Sequence, residues 1–173
     1  PRGRRAGGAP GERGADMFPA RRGRLWKSTG PTGRDMQMVD PGKSPEGVRA
    51  WRFDGLPRHV TDARLAAASF VAELAGRRAP ANPDAPDDVV LVVAELVVNC
   101  VCWAPGPFTL TLRDTGEGVH IEVGDTSHDP PRPTPMDMTG RGGVGWYVIN
   151  ALAEEAVVVD EPFGKTVHVF LPW

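Results

Sequence analysis

The chain has 173 residues, enough for one domain with a real core. At 40% hydrophobic content and net charge −2 it is a globular composition, neither disordered throughout nor strongly basic. The charge is uneven: residues 1–48 hold ten Lys+Arg against five Asp+Glu, and residues 49–173 hold ten against seventeen. The acidic balance of the second part argues against a nucleic-acid surface there. No apolar run reaches the ~18 residues of a membrane span, and the basic N-terminus lacks the apolar core of a signal peptide. Cys100 and Cys102 lie two apart in a helical stretch and point away from each other, so they form no disulfide framework, and a reducing cytoplasm is expected. The four histidines are scattered, with no metal-ligand spacing along the chain.

In residues 1–48, glycine and proline fill 16 positions, a composition that buries too little apolar surface to offset ordering entropy. A disordered tail is expected over 1–48, and one domain over 49–173. Because the chain opens at Pro1, two origins stay open for the tail: an appended segment, or a gene start placed too early, with Met17, Met36 or Met38 the true beginning.

Trp51 to Leu56 reads as a short strand. Thr61 then caps a helix over Asp62 to Arg78, with Leu65, Phe70, Val71 and Leu74 available to the core. After a proline-rich loop, Pro86 with Asp87 and Asp88 opens a second helix that runs to Trp103 and stops at Pro105-Gly106-Pro107. Phe108–Arg113 and Val119–Val123 alternate as half-buried strands around an Asp114–Gly118 turn. Past Asp125 comes a proline-rich loop, then a glycine cluster opening a helix over Val144–Ala153. Ala156–Asp160 and Thr166–Leu171 form the last strands, with Pro162–Lys165 as their turn. Helices interleaved with hairpins predict an α/β two-layer sandwich: a mixed, mostly antiparallel sheet with helices on one face.

Four patches carry chemistry. Within the apolar run Val89–Trp103, only Glu95 and Asn99 are polar, and four residues apart they share one helix face. An apolar helix does not carry a carboxylate and an amide in line without a use, because burying them unpaired is costly. The others are Asp125, the cluster Gly140-Arg141-Gly142-Gly143-Val144-Gly145, and Gly164-Lys165-Thr166. The cluster contains a literal G-x-G-x-x-G, with Asp160 twenty residues after Gly140. A dinucleotide fingerprint must follow a strand directly, and here prolines precede it, so that reading is rejected. Glycines that let backbone N–H groups approach phosphates, before a helix N-terminus, remain suited to an anion; a surface loop with a helix cap is the plain alternative.

Taken in order, the four patches resemble the ATP-binding domain shared by histidine kinases, DNA gyrase, mismatch-repair ATPases and heat-shock chaperones. Among these the chain is most similar to the stand-alone anti-sigma-factor serine kinases of actinomycetes. Glu95-Leu96-Val97-Val98-Asn99 resembles the family's N-box, Asp125 its adenine-reading aspartate, Gly145 and the helix after it the glycine box, and Gly164-Lys165-Thr166-Val167 its terminal motif. The resemblance implies that Asn99 holds Mg²⁺ and that Glu95 is the general base. It implies that Asp125 accepts from the adenine amino group with support from Thr166, and that Gly140, Arg141, Gly142, Gly143 and Gly145 wrap the phosphates. The implied reaction is ATP-dependent phosphorylation of a serine on an anti-sigma-factor antagonist, with a sigma factor as second partner, no membrane, and a homodimer in many relatives.

The sequence departs from the family pattern in places. Trp103 stands where members usually carry histidine, Val144 where an arginine is common, Trp146 where a leucine is, and Ser127 where many have glycine. The competing class is an ATP-binding switch module that grips a regulatory partner without phosphoryl transfer. For single residues plain readings stand beside these roles: Glu95 facing solvent, Asn99 bonded to a neighbouring loop, Asp125 starting a turn, Lys165 solvated at a hairpin, and the cysteines as packing.

Overall fold

The computed structural model describes residues 47–129, 131 and 144–173. Most of the expected tail therefore lies outside the described residues, as does most of the loop before the third helix. The elements run β1 (Val48–Phe53), α1 (His59–Arg77), α2 (Ala85–Trp103), β2 (Phe108–Asp114), β3 (Gly118–Asp125), α3 (Val144–Leu152), β4 (Glu155–Glu161) and β5 (Gly164–Pro172). The expected α/β two-layer architecture is what forms. The sheet order is β1-β2-β3-β5-β4, and every neighbouring pair is antiparallel, where a mixed sheet was allowed for.

Period-two alternation decides the layers. Phe108, Leu110 and Leu112 of β2, Val119, Ile121 and Val123 of β3, and Val167, Val169 and Leu171 of β5 are buried on one face. α1 and α2 cover that face with Ala63, Ala67, Phe70, Val71 and Leu74 from the first and Val89, Val92, Val93, Leu96, Val97 and Cys100 from the second. Each buried Leu, Val or Phe contributes ~1.5–3 kcal/mol relative to exposure, so this single layer of contact supplies the main driving force. The alternate residues of the strands, among them Thr109, Arg113, His120 and His168, occupy the other, more open face.

The helices differ in detail from the sequence expectation. α1 starts at His59, so Thr61 is inside it, not at its cap; the residue before the helix, Arg58, makes no side-chain cap bond. His59 itself fastens the entry, with Nδ1 accepting the Leu56 N–H at 3.1 Å and its ring 5.5 Å from that of Phe53. Leu65 is 64% exposed, not in the core. The buried stripe 63, 67, 70, 71, 74 follows helical spacing, and position 65 falls on the far side of it. α2 starts with proline in its first turn, as the sequence indicated. The last hairpin is tighter than expected: Glu161 pairs with Gly164, so only Pro162 and Phe163 turn the chain and Lys165 belongs to β5. Among the described residues, no helix is long and apolar enough to cross a membrane.

This layering has a direct test. Leu74→Ala should cost about 2–5 kcal/mol in urea unfolding. Leu65→Ala should stay within about 0.5 kcal/mol of the parent, as an exposed position does. Equal losses at the two sites would contradict the assigned face of α1.

Candidate functional site

α2 packs on both α1 and the sheet, and its remaining strip carries Leu91, Glu95, Val98, Asn99 and Cys102, all exposed or half-buried. Glu95 and Asn99 thus share the one side of the helix that the core does not consume. Among the described residues neither side chain has a hydrogen bond or ion pair. The first turn of α3 closes onto this strip. Gly145 sits so tightly against Glu95 that a Cβ there would run into the Glu95 carboxylate. A side chain at 145 would therefore displace the Glu95 carboxylate from this position, where it lies against a helix N-terminal turn and negative charge is favoured. Gly140, Arg141, Gly142 and Gly143 lie outside the described residues.

The second half of the site comes from the ends of β3 and β5. Asp125 and Lys165 are direct cross-strand partners. Lys165 Nζ donates to Asp125 Oδ1 at 2.8 Å and to the Ser127 carbonyl at 3.1 Å. The pair is deeply buried, with side-chain exposures of 8% and 4%. The Ser127 N–H also donates to Oδ1, at 2.8 Å. Oδ2 receives only the Cys100 thiol of α2, at 3.6 Å, a weak contact that leaves this edge of the carboxylate open to a further donor. Burial, then the charge of Asp125 and its hydrogen bond, push the Cys100 thiol well above the usual thiol range. Gly164 makes the approach of the strands feasible: its φ is +145°, and a Cβ would collide with the Asp125 carbonyl.

Thr166 is placed differently from its neighbours. It pairs with Gly124, its Oγ1 lies beside that glycine together with the Thr109 hydroxyl, and so it faces the opposite side of the sheet from Asp125. The side chain that reaches Asp125 is Lys165, which the sequence placed in solvent. The signal was present: extending the alternation of Val167, Val169 and Leu171 back by two puts residue 165 on the same, inward face. Trp103, at the end of α2, is 71% exposed, whereas Trp146 is partly buried against the core. A separate cavity of about 280 Å³ lies at the β1–β2–β3 end beside Arg52, Thr109, Gly124 and Phe163 and reaches Asp125, but neither Glu95 nor Asn99 lines it.

Two outcomes follow. Lys165→Met should lower stability by about 3–5 kcal/mol, because it strands a buried carboxylate. The double variant Lys165→Met/Asp125→Asn should regain more than half of that loss in urea denaturation; an additive loss would show that the ion pair is not the coupled unit. Under native conditions iodoacetamide should alkylate Cys102, which is exposed, and leave Cys100 unmodified until the protein unfolds; peptide mass mapping reads the difference.

Comparison with known proteins gives three findings. No curated protein matches the chain. A solved structure of the RsbU and RsbW domains of Rv1364c from Mycobacterium tuberculosis is similar at 17% sequence identity and a TM-score of 0.49, covering 72% of this chain and 32% of that one. The present chain thus spans about a third of the length of that protein. Residues 54–170 match the model of the histidine kinase-like ATPase domain, more than half of the sequence, from just after β1 to within two residues of the end of β5, and the chain belongs to that family.

Proposed function

We propose that the protein is an ATP- and Mg²⁺-dependent protein serine kinase of the anti-sigma type. Its acceptor is a serine on an antagonist protein, and a sigma factor is its second partner. The observation that carries this reading is the pair Glu95 and Asn99: one helix face, no partner among the described residues, and α3 closed on the carboxylate at Gly145. A carboxylate and an amide left uncommitted on an otherwise packed helix are suited to a ligand that brings its own hydrogen-bonding and charged groups.

The chemistry of these donors fits a magnesium nucleotide. The Asn99 amide offers a neutral oxygen, the type of ligand Mg²⁺ takes beside phosphates and water. Bound there, the ion supplies charge neutralisation at the phosphates. The Glu95 carboxylate, one turn away, takes the proton of the acceptor hydroxyl. Oδ2 of Asp125 accepts from the exocyclic amine of adenine, while Lys165, held on Oδ1, fixes the orientation of that carboxylate. Thr166 has no direct part in this arrangement, since it faces the opposite side of the sheet. Gly140, Arg141, Gly142 and Gly143 are proposed to wrap the phosphates, in continuation of Gly145.

A second reading has its own support. Trp103 stands exposed at the end of α2, one helical turn past Asn99. An exposed indole beside the site suits a module that grips a protein in a nucleotide-dependent way without transferring phosphate. The two readings part at Glu95. Glu95→Gln should leave Mg·ATP affinity within about threefold by calorimetry and cut phosphotransfer by at least about a hundredfold. Transfer unchanged in this variant would remove Glu95 as the base; ATP bound normally by a wild-type protein that never transfers phosphate would favour the switch. Asn99→Ala should abolish the Mg²⁺-dependent part of ATP binding in the same assay, and intact Mg²⁺ dependence would refute its role.

A further inference from the structure

The sheet face opposite the helices carries a cluster that the nucleotide reading does not use. His120 and Glu122 of β3 and His168 of β5 project from it, with Glu122 directly across from His168 and His120 directly across from Phe170. Nε2 of His120 lies 3.2 Å from Nδ1 of His168, and Nδ1 of His120 lies 3.3 Å from Glu122 Oε1. One ligand atom from each of the three residues falls within 4.8 Å of the other two. The group is half-buried, and the His120 side chain is only 13% exposed. The Phe170 ring lies flat on His120, centroids 4.1 Å apart at 8°, so His120 has little freedom to turn away. Arg113, across from His120 on β2, reaches Glu122 at 4.0 Å.

We infer that His120, Glu122 and His168 form a binding site for one divalent transition-metal ion of the imidazole-preferring class, with Zn²⁺ the natural probe. The ligand set is two nitrogens and a carboxylate, the three-residue set that Zn²⁺ takes with a fourth position left to water. The spacing agrees: Zn–N bonds of ~2.0–2.1 Å in a tetrahedron put two ligand nitrogens roughly 3.3 Å apart. Without metal, the same separation is bridged by one proton, which one of the two ring nitrogens donates to the other. Metal binding replaces that proton: the donating ring shifts to its other tautomer, and both facing lone pairs are then available to one ion. Glu122 Oε1, 3.3 Å from Nδ1 of His120, belongs to the same cluster and supplies the third, anionic ligand. Mg²⁺, which prefers oxygen ligands and a near-ideal octahedron, is poorly served here, so the site is distinct from Asn99 in chemistry as well as in position.

The spacing along the chain hid this cluster. His120 and His168 are 48 residues apart, and only the β3–β5 register brings them together.

The test is titration of the full, chelator-stripped chain with Zn²⁺ in the absence of nucleotide. The expected result is one tight equivalent by calorimetry, weakened at least tenfold by His168→Gln and by Glu122→Gln, and unchanged by His128→Ala. His128, which pairs with Asp160 at an exposed position, is the control for adventitious binding. Binding no tighter than in a His120→Gln/His168→Gln double variant, including no binding at all, would overturn the site. A readout on the wild type alone covers the case of a variant that misfolds: Zn²⁺ should shift the imidazole NMR signals of His120 and His168 and leave those of His59 and His128 in place. Shifts confined to His128, or absent, would equally reject it.

Discussion

The burial of α2 is the constraint on which the rest of this structure depends. The helix meets α1 on one side and the sheet on another, and its Val, Leu and Ala residues meet both demands. What remains is a narrow strip, and the sequence places there Glu95 and Asn99, the two polar side chains of the run from Val89 to Trp103. Because a packed core tolerates few displacements, Glu95 and Asn99 are held by the contacts of their apolar neighbours rather than by hydrogen bonds of their own. Rigidity of the scaffold and availability of the side chains are thus two results of the same packing.

The other half of the site rests on a different principle. Asp125 and Lys165 form a buried ion pair, and such a pair is weak evidence for stability, since the attraction roughly offsets desolvation. Its value lies in geometry: Oδ1 is taken by the Lys165 ammonium and the Ser127 N–H, which fixes the orientation of the carboxylate and leaves Oδ2 with only the weak Cys100 contact among the described residues. The near approach of β5 to the Asp125 backbone, which only a glycine at 164 permits, sets that orientation.

Much of this was legible in the sequence, and the exceptions have physical causes. Phe70, Val71 and Leu74 marked the buried face of α1, but Leu65, read with them, lies outside it, and the alanines at 63 and 67 complete the face. The alternation of β2, β3 and β5 gave the inward face. The two-residue turn at Pro162-Phe163 was not anticipated, and a turn drawn two residues too long moved Lys165 from core to solvent. Glu95 and Asn99 were conspicuous because polarity inside an apolar run is rare. His120, Glu122 and His168 were invisible because strand register is a non-local property that one chain's spacing does not encode.

The strand order also governs when the molecule can exist as a unit. β5 sits between β3 and β4, although it follows both in the chain. As the polypeptide leaves the ribosome, β1, β2 and β3 with α1 and α2 can assemble first, but β3 then presents an unpaired edge and β4 has no strand to join. The final strand closes that edge, brings Lys165 to Asp125, and seats Trp173, whose indole N–H donates to the Arg78 carbonyl at 2.9 Å. The setting of the Asp125 carboxylate is therefore completed last in biosynthesis, so a nascent chain interrupted before β5 would carry the α2 strip without the means to hold Asp125 in place.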